Sequence, residues 1–297
     1  MNRDVMGLIV KRDDGSEIVN YNDPSFPSYI YDGWIKPKVT WERVPHFHED
    51  IEIMTIKSGH LTYFINGKAL PLNEGDTIVV NSNRIHYNMC TDDEVAKYVI
   101  FVVHPSILMT SVAVEMQAVR PILDNPDIPY LRFRYINEYT ESIRNLVLEL
   151  PDMRNDPFSI TKQFFLIWEI IRKQAQSMGA AHDETVSDPK MQSFKAMMNY
   201  ISIYYKDKLT LEDIAASGHV SKSLCNTMFH QYVNESPINY LMHFRIREVA
   251  KLLRSGNMSM TEIAQVTGFG GVSYMSETFR RFFEKSPREY KKEWRDF

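Results

Sequence analysis

The last third of this 297-residue chain carries one helical pattern twice, and that repeat restricts the fold more than any other feature. Leu209-Thr210-Leu211-Glu212-Asp213-Ile214-Ala215 is matched 49 residues on by Met258-Ser259-Met260-Thr261-Glu262-Ile263-Ala264. Phe229…Ser236-Pro237…Tyr240 is matched 50 residues on by Phe279…Ser286-Pro287…Tyr290. Two copies define a duplicated domain, not a solenoid. Thr210 with Asp213, and Ser259 with Glu262, have the spacing of an N-cap hydroxyl and an N3 carboxylate. Ile214-Ala215 and Ile263-Ala264 put a branched and a small residue where two helices must meet closely. Gly268 predicts a left-handed end to the first helix of the second copy, with Phe269 anchoring the turn. Ser221, Ser236-Pro237 and Ser286-Pro287 each predict a further helix start. The punctuation is that of two helix-turn-helix units in an all-α domain.

The second helix of each unit should have one buried and one outward stripe. In the first copy Cys225, Met228 and Phe229 face in, leaving Ser223, Asn226, Thr227 and His230 outward behind Lys222. In the second, Met275, Phe279 and Phe282 face in, leaving Ser273, Ser276, Glu277 and Arg280 outward with Arg281 at the edge. A DNA major groove admits one helix, whose outward face reads base edges while basic neighbours hold phosphates. The charge distribution agrees. The chain as a whole carries −4, but residues from Lys190 onward hold 16 basic and 11 acidic side chains, a net +5, against −9 for the rest. A basic end on an acidic body suggests that only one end meets a polyanion.

The segment Leu209 to Trp294 resembles the DNA-binding domain of the AraC/XylS family of bacterial transcription regulators. The motifs that carry the resemblance are Arg245-Ile246-Arg247-Glu248-Val249-Ala250-Lys251-Leu252-Leu253, Ile263-Ala264-Gln265-Val266-Thr267-Gly268-Phe269 and Phe279-Arg280-Arg281-Phe282-Phe283…Ser286-Pro287-Arg288-Glu289-Tyr290. The resemblance implies a long helix, about Pro237–Arg254, that sets the two reading helices one turn of double-stranded DNA apart. It also implies an activator of transcription, RNA polymerase as a partner, and a homodimer. Two departures stand out. His219, preceded by Gly218, occupies the first turn where the family has Gly, which predicts a shifted or strained turn. Thr227 and Glu277 stand where family members often have Arg. Glu277 is either an acceptor for cytosine N4 or a structural or repulsive element.

Ahead of this domain, from about Tyr29 to Val103, the chain reads as short strands: Ile51–Ile56, Leu61–Ile65 and Thr77–Val80, with hairpin signals at Asn66-Gly67 and Asn73-Glu74-Gly75-Asp76. Such strands suggest a β-barrel or sandwich. His46-Phe47-His48, Glu52 and, farther on, His86 are ligand-type residues. At a strand's period of two, His46, His48 and Glu52 share one face. This arrangement resembles the cupin motif pair, complete in its first half and with Asn81 and Asn83 replacing the usual Pro and Gly in its second. Three readings stay open: a divalent metal site for Zn, Ni, Mn or Fe, the polar wall of a metal-free effector pocket, or a satisfied core cluster. A metal-dependent cupin enzyme or a metal-sensing regulator is the alternative function; the regulator reading needs no catalytic residue and no cofactor. Trp34, Trp41 and Tyr63 could offer flat faces to a sugar effector.

Between the two regions lie two amphipathic helical patterns, one with Ile143, Leu146, Val147 and Leu150, the other with Phe164, Ile167, Trp168 and Ile171, separated by Pro151 to Pro157. The expected organisation is a cupin-like effector-sensing barrel over 1–134, a helical hairpin and dimerisation element over 135–178, a polar linker over 179–189, and the DNA-binding domain over 190–297. Two cysteines cannot build a disulfide framework, and no apolar run is long enough to span a bilayer. The expectation is a cytoplasmic protein without a membrane partner.

Overall fold

The computed structural model describes residues 10–36, 44–90, 94–135, 138–177, 189–256 and 258–295. The chain forms two compact units, in the main Ser16–Ser187 and Asp188–Phe297. The expected linker over 179–189, its last residue apart, lies outside the described residues, as does Trp41.

In the N-terminal unit, β1 (Val10–Lys11) and β2 (Glu17–Ile18) make a small antiparallel pair. Eight further strands follow: β3 (Ser28–Ile35), β4 (Ile51–Ser58), β5 (Leu61–Ile65), β6 (Lys68–Leu72), β7 (Thr77–Val80), β8 (His86–Met89), β9 (Ala96–Val103) and β10 (Tyr130–Phe133). They form a five-stranded sheet in the order β10-β7-β4-β9-β3 and a three-stranded sheet in the order β6-β5-β8, antiparallel throughout. No strand was expected over Tyr130–Phe133, where Leu131 and Phe133 are buried in the core beneath the helices and Tyr130 is only partly buried against the core between the sheets. Asn66 and Gly67 both take positive φ, as a tight hairpin turn between β5 and β6 requires.

Strand β4 is apolar on both faces because both are covered. Ile51 and Ile53 belong to the core beneath the helices, whereas Met54 and Ile56 belong to the core between the sheets with Leu61, Tyr63, Ile78 and Tyr98. Two short helices, α1 (Val112–Val114) and α2 (Arg120–Leu123), lead to β10 and then to α3 (Glu138–Glu149) and α4 (Pro157–Ser177). The α3–α4 hairpin packs on the outer face of the larger sheet, with Ile143, Val147, Phe164, Ile167 and Trp168 buried. Burial of each such side chain contributes roughly 1.5–3 kcal/mol. Asn81 anchors the segment around α2 by donating to the carbonyls of Ile122 (2.8 Å) and Ile128 (2.9 Å).

The C-terminal unit is helical: α5 (Pro189–Tyr204), α6 (Leu211–Ser217), α7 (Lys222–Val233), α8 (Pro237–Ser255), α9 (Met260–Val266), α10 (Val272–Phe283) and α11 (Pro287–Arg295). The caps form where the sequence places them. Thr210 and Asp213 close a complete capping box, as do Ser259 and Glu262. Helix α5 was not among the expected elements, although Phe194, Met197, Met198 and Ile201 have helical spacing and are buried. Phe194 packs on Phe229 of α7, with ring centroids 4.9 Å apart. A separate core holds the second unit, built from Ile246, Val249, Leu253, Ile263, Phe269, Met275, Phe279 and Phe283. Phe283, rather than the expected Phe282, is the inward residue at the end of α10; Phe282 is only partly buried.

The two turns are built alike. Val220 N donates to Ala215 O (3.1 Å) and Phe269 N to Ala264 O (2.9 Å), the long bond that closes a helix on a left-handed residue. That residue is His219 (φ 54°) in the first copy and Gly268 (φ 77°) in the second. The first turn is therefore not shifted; the histidine itself takes the strained conformation. Gly218 serves a different need, since a Cβ there would lie 2.8 Å from Ser193 O and 2.6 Å from Met197 Cγ of α5.

Candidate functional site

His46, His48, Glu52 and His86 each offer a ligand atom within 4.8 Å of every other. The reason is not the one the sequence suggested. His46 and His48 precede β4 in an irregular segment, so a strand's alternation does not align them. Instead that segment lies beside β8: His46 N donates to His86 O (3.1 Å) and His86 N to His46 O (2.9 Å). Glu52 reaches the same point from β4, on the face that also carries Met54 and Ile56 into the core between the sheets. Asn83 supplies the left-handed turn (φ 60°) that a glycine would otherwise make, and its N–H donates to His48 O (2.7 Å).

All three imidazoles are held in the same way. Nδ1 donates to a backbone carbonyl in each: Val44 O for His46 (2.7 Å), Asp50 O for His48 (3.0 Å) and Arg84 O for His86 (2.8 Å). An acceptor carbonyl fixes the tautomer and leaves Nε2 with a lone pair to offer. The Nε2 atoms of His48 and His86 lie 3.6 and 3.5 Å from Glu52 Oε2. The Nε2 of His86 is buried and has no hydrogen-bond partner. The other oxygen of Glu52 accepts from the Tyr63 hydroxyl. Burial opposes charge on Glu52, yet the flanking histidines, His86 foremost, hold its carboxyl below the usual carboxylate range. Burial pushes His46 well below its ordinary value, helped by the neighbouring His86. At His48 burial acts in the same direction but is outweighed by Glu52, so its value is raised. One carboxylate with three nitrogen lone pairs in a dry site is a donor set that fits a divalent transition metal.

The aromatic residues considered for a sugar do not come together. Tyr63 is 1% exposed, stacked on His86 with its hydroxyl committed to Glu52, while Trp34 is on the surface at 37%. Glu17 was missed: from β2 its Oε2 lies 3.6 Å from His46 Nε2, placed there by its own N–H donating to Phe47 O (2.8 Å). No local pattern links a residue so distant in sequence to the cluster.

In the C-terminal unit, α7 and α10 turn the expected residues outward. Ser223, Thr227 and His230 are exposed and Asn226 is half-buried; Ser273, Glu277, Arg280 and Arg281 are exposed and Ser276 is half-buried. Several have local partners. Lys222 Nζ donates to Glu212 Oε2 of α6 (3.1 Å), Thr227 Oγ1 to Ser223 O (3.0 Å) and Asn226 Nδ2 to Lys222 O (3.2 Å). Arg281 Nη2 donates to Glu277 Oε1 (2.8 Å), so Glu277 screens the guanidinium next to it. Leu224 and Tyr274, equivalent in the repeat, are exposed in the first turn of each helix, at 36% and 53%. Aligning the copies would have found them, and an apolar side chain there matches a thymine methyl group.

The family models match in two places, a helix-turn-helix domain over residues 214–293 and a cupin domain over residues 36–103. The transcriptional regulator YdeC of Bacillus subtilis is 26% identical over 93% of this chain and 95% of its own length. The transcriptional activator RhaS of Klebsiella pneumoniae is 21% identical over 86% of this chain and 90% of its own. An AraC-like transcription regulator of Streptomyces lividans is 35% identical over 28% of this chain and 27% of its own. The helix-turn-helix match is of AraC type, and the proteins it resembles are transcriptional regulators of that family. The chain combines an AraC-type helix-turn-helix domain with a cupin domain, and both groups of residues singled out above fall inside the matched segments, 36–103 for the histidine cluster and 214–293 for α7 and α10. Among the described residues, no helix of this AraC-type regulator is long and apolar enough to cross a membrane.

Proposed function

We propose that this AraC-type regulator binds double-stranded DNA sequence-specifically through α7 and α10, under the control of a small-molecule effector held at the cupin cluster. The tandem of two turns closed by the same backbone hydrogen bond, each presenting an outward helix, supports the DNA reading. Ser223, Asn226, Thr227, His230, Ser273 and Ser276 are the base-reading candidates, and Lys222, Arg280 and Arg281 the phosphate contacts. The likeness to RhaS, named an activator, supports activation; RNA polymerase as a partner and a cytoplasmic location are part of the same proposal. Selection from a randomised duplex pool by the purified full chain tests the reading. Salt of about 150 mM excludes phosphate attraction as the source of enrichment. Two contact blocks one turn apart support it; no enriched sequence refutes it.

His46, His48, Glu52 and His86 would hold a divalent ion, which when bound supplies a Lewis-acidic anchor for an anionic or chelating effector group. The chain's own contribution is to fix the three imidazole tautomers through backbone carbonyls and to brace Glu52 with Tyr63. The unit then acts as a sensor and not as an enzyme. Chelation-sensitive turnover of an effector would reverse that reading.

A homodimer through α4 completes the proposal. Phe158 (81% exposed), Phe165 (37%) and Leu166 (44%) line its outer face. Antiparallel pairing about the midpoint of Phe165 and Leu166 sets Lys162 of one copy opposite Glu169 of the other.

A further inference from the structure

Each helix-turn-helix unit packs around its own apolar core, and α8 serves both. Among the described residues, the core of the second unit takes Ile246, Val249, Ala250 and Leu253 from α8 and no side chain from α6 or α7, so the shared helix is the main apolar link between the two. One buried polar junction ties them. Arg245, at the middle of α8 and 9% exposed, forks between two backbone carbonyls just past the C-terminus of α5. Its Nε donates to Tyr205 O (2.7 Å) and its Nη2 to Asp207 O (2.7 Å). Both bonds are charge-assisted, and a planar guanidinium cannot swing without losing one. The tied loop is further held by the Tyr205 ring, 5.1 Å from that of Phe244 on α8.

The same loop touches the turn of the second unit. A Cβ at Gly268 would lie 2.7 Å from both Tyr205 O and Lys206 O and 3.0 Å from Arg245 Nε. Arg245 thus sits where the loop entering the first unit, the shared helix and the turn that aims α10 all meet. On the other side of α8, His243 Nδ1 lies 2.5 Å from Glu235 Oε2 and its ring 4.8 Å from that of Phe282. That second contact is 39% exposed at the histidine side chain and therefore the weaker one.

We propose that Arg245 is a positioning residue that fixes the separation of the two reading helices and thereby sets the operator spacing the protein accepts. The proposal rests on the DNA reading above. One added base pair moves the second contact block about 3.4 Å along the duplex and rotates it about 34°. A rigid pair cannot follow, so base contacts at one end are lost, about a 30-fold weakening or more. A pair released at Arg245 follows at little cost.

The test compares the full chain with Arg245→Met and Arg245→Lys. The lysine keeps the charge and a donor but cannot fork between two carbonyls, so it supplies the comparison with the smaller risk to folding. Spin labels at Ala216→Cys and Gln265→Cys, equivalent exposed positions in the two units, report the separation directly by pulsed dipolar spectroscopy. The native cysteines are buried. With the labelled chain diluted in an excess of unlabelled chain, so that a dimer carries one labelled copy, the expected result is one narrow distance population in the Arg245 background and a broadened one in either variant. A distribution that stays narrow in a folded variant overturns the proposal. With a selected site in hand, wild type should lose about 30-fold on insertion of a base pair and the variants less than about 3-fold. General destabilisation would weaken every spacing equally and leave their ranking unchanged, which also overturns it. Should no site be selected, the DNA reading fails, while the label distances still decide the role of Arg245.

Discussion

Equivalent turn positions in the two helix-turn-helix units should respond to substitution with opposite signs. His219 sits at φ 54° with an exposed side chain, so replacing it by glycine removes left-handed strain and almost no packing. Strain of that kind is about 1–2 kcal/mol for a residue with a Cβ, and glycine's extra freedom in the unfolded chain returns about 0.5–1 kcal/mol. His219→Gly should therefore stabilise the first unit by about 0.5–1 kcal/mol. At Gly268, φ 77°, alanine meets the same strain and also drives its Cβ to 2.7 Å from two carbonyl oxygens. With overpacking added, Gly268→Ala should cost about 2 kcal/mol or more. Amide hydrogen exchange in the full chain reads both, because protection reports the local opening free energy. Amides of α6 and α7 should exchange about 2- to 5-fold more slowly in His219→Gly, and those of α9 and α10 about 30-fold faster in Gly268→Ala. Faster exchange in His219→Gly, or the same sign at both positions, would refute the reasoning.

Replacing Glu52 by Gln or His86 by Ala should lower zinc or nickel affinity by at least tenfold in calorimetric titration, with the fold intact by circular dichroism. Acid should do the same: burial keeps His46 deprotonated, but His48, its burial outweighed by Glu52, takes up a proton first, so affinity begins to fall above pH 6.5 as pH drops. Unchanged affinity from pH 7.5 to 5.5 would count against these ligands. Phe165→Glu together with Leu166→Glu should convert a dimer to a monomer in sedimentation velocity; no change in mass would exclude the α4 face. Arg280→Ala should weaken binding to all duplexes and reduce the salt slope by about one. Glu277→Ala frees Arg281 and should strengthen binding a few-fold without regard to sequence, whereas a changed base preference would make Glu277 a reader.

The helical third was legible because its signals are local. A hydroxyl three residues before a carboxylate, or a serine before a proline, specifies a helix start whatever surrounds it. Helix α5 carries a signal of the same kind in Phe194, Met197, Met198 and Ile201, but it stands outside the repeat and has no second copy to reinforce it. The strands read well where they alternate or end in Asn-Gly, and poorly at Tyr130–Phe133, whose partner β7 lies about fifty residues earlier. The histidine cluster was visible in its residue types, but its geometry comes from a bridge between an irregular segment and β8 that no periodicity encodes. Glu17 and the Tyr63–Glu52 contact belong to the same class, side chains brought together by topology alone.

The two reading faces are not copies of one another. Asn226, Thr227 and His230 face outward from the first, and Ser276, Glu277 and Arg280 occupy the corresponding places on the second. A single chain with two unlike hands on one frame cannot treat a duplex and its reverse as equal. On the proposed DNA reading, the asymmetry would give each bound molecule a heading along the DNA, so whatever surface it showed to the transcription machinery would point upstream or downstream by the order of the bases beneath it.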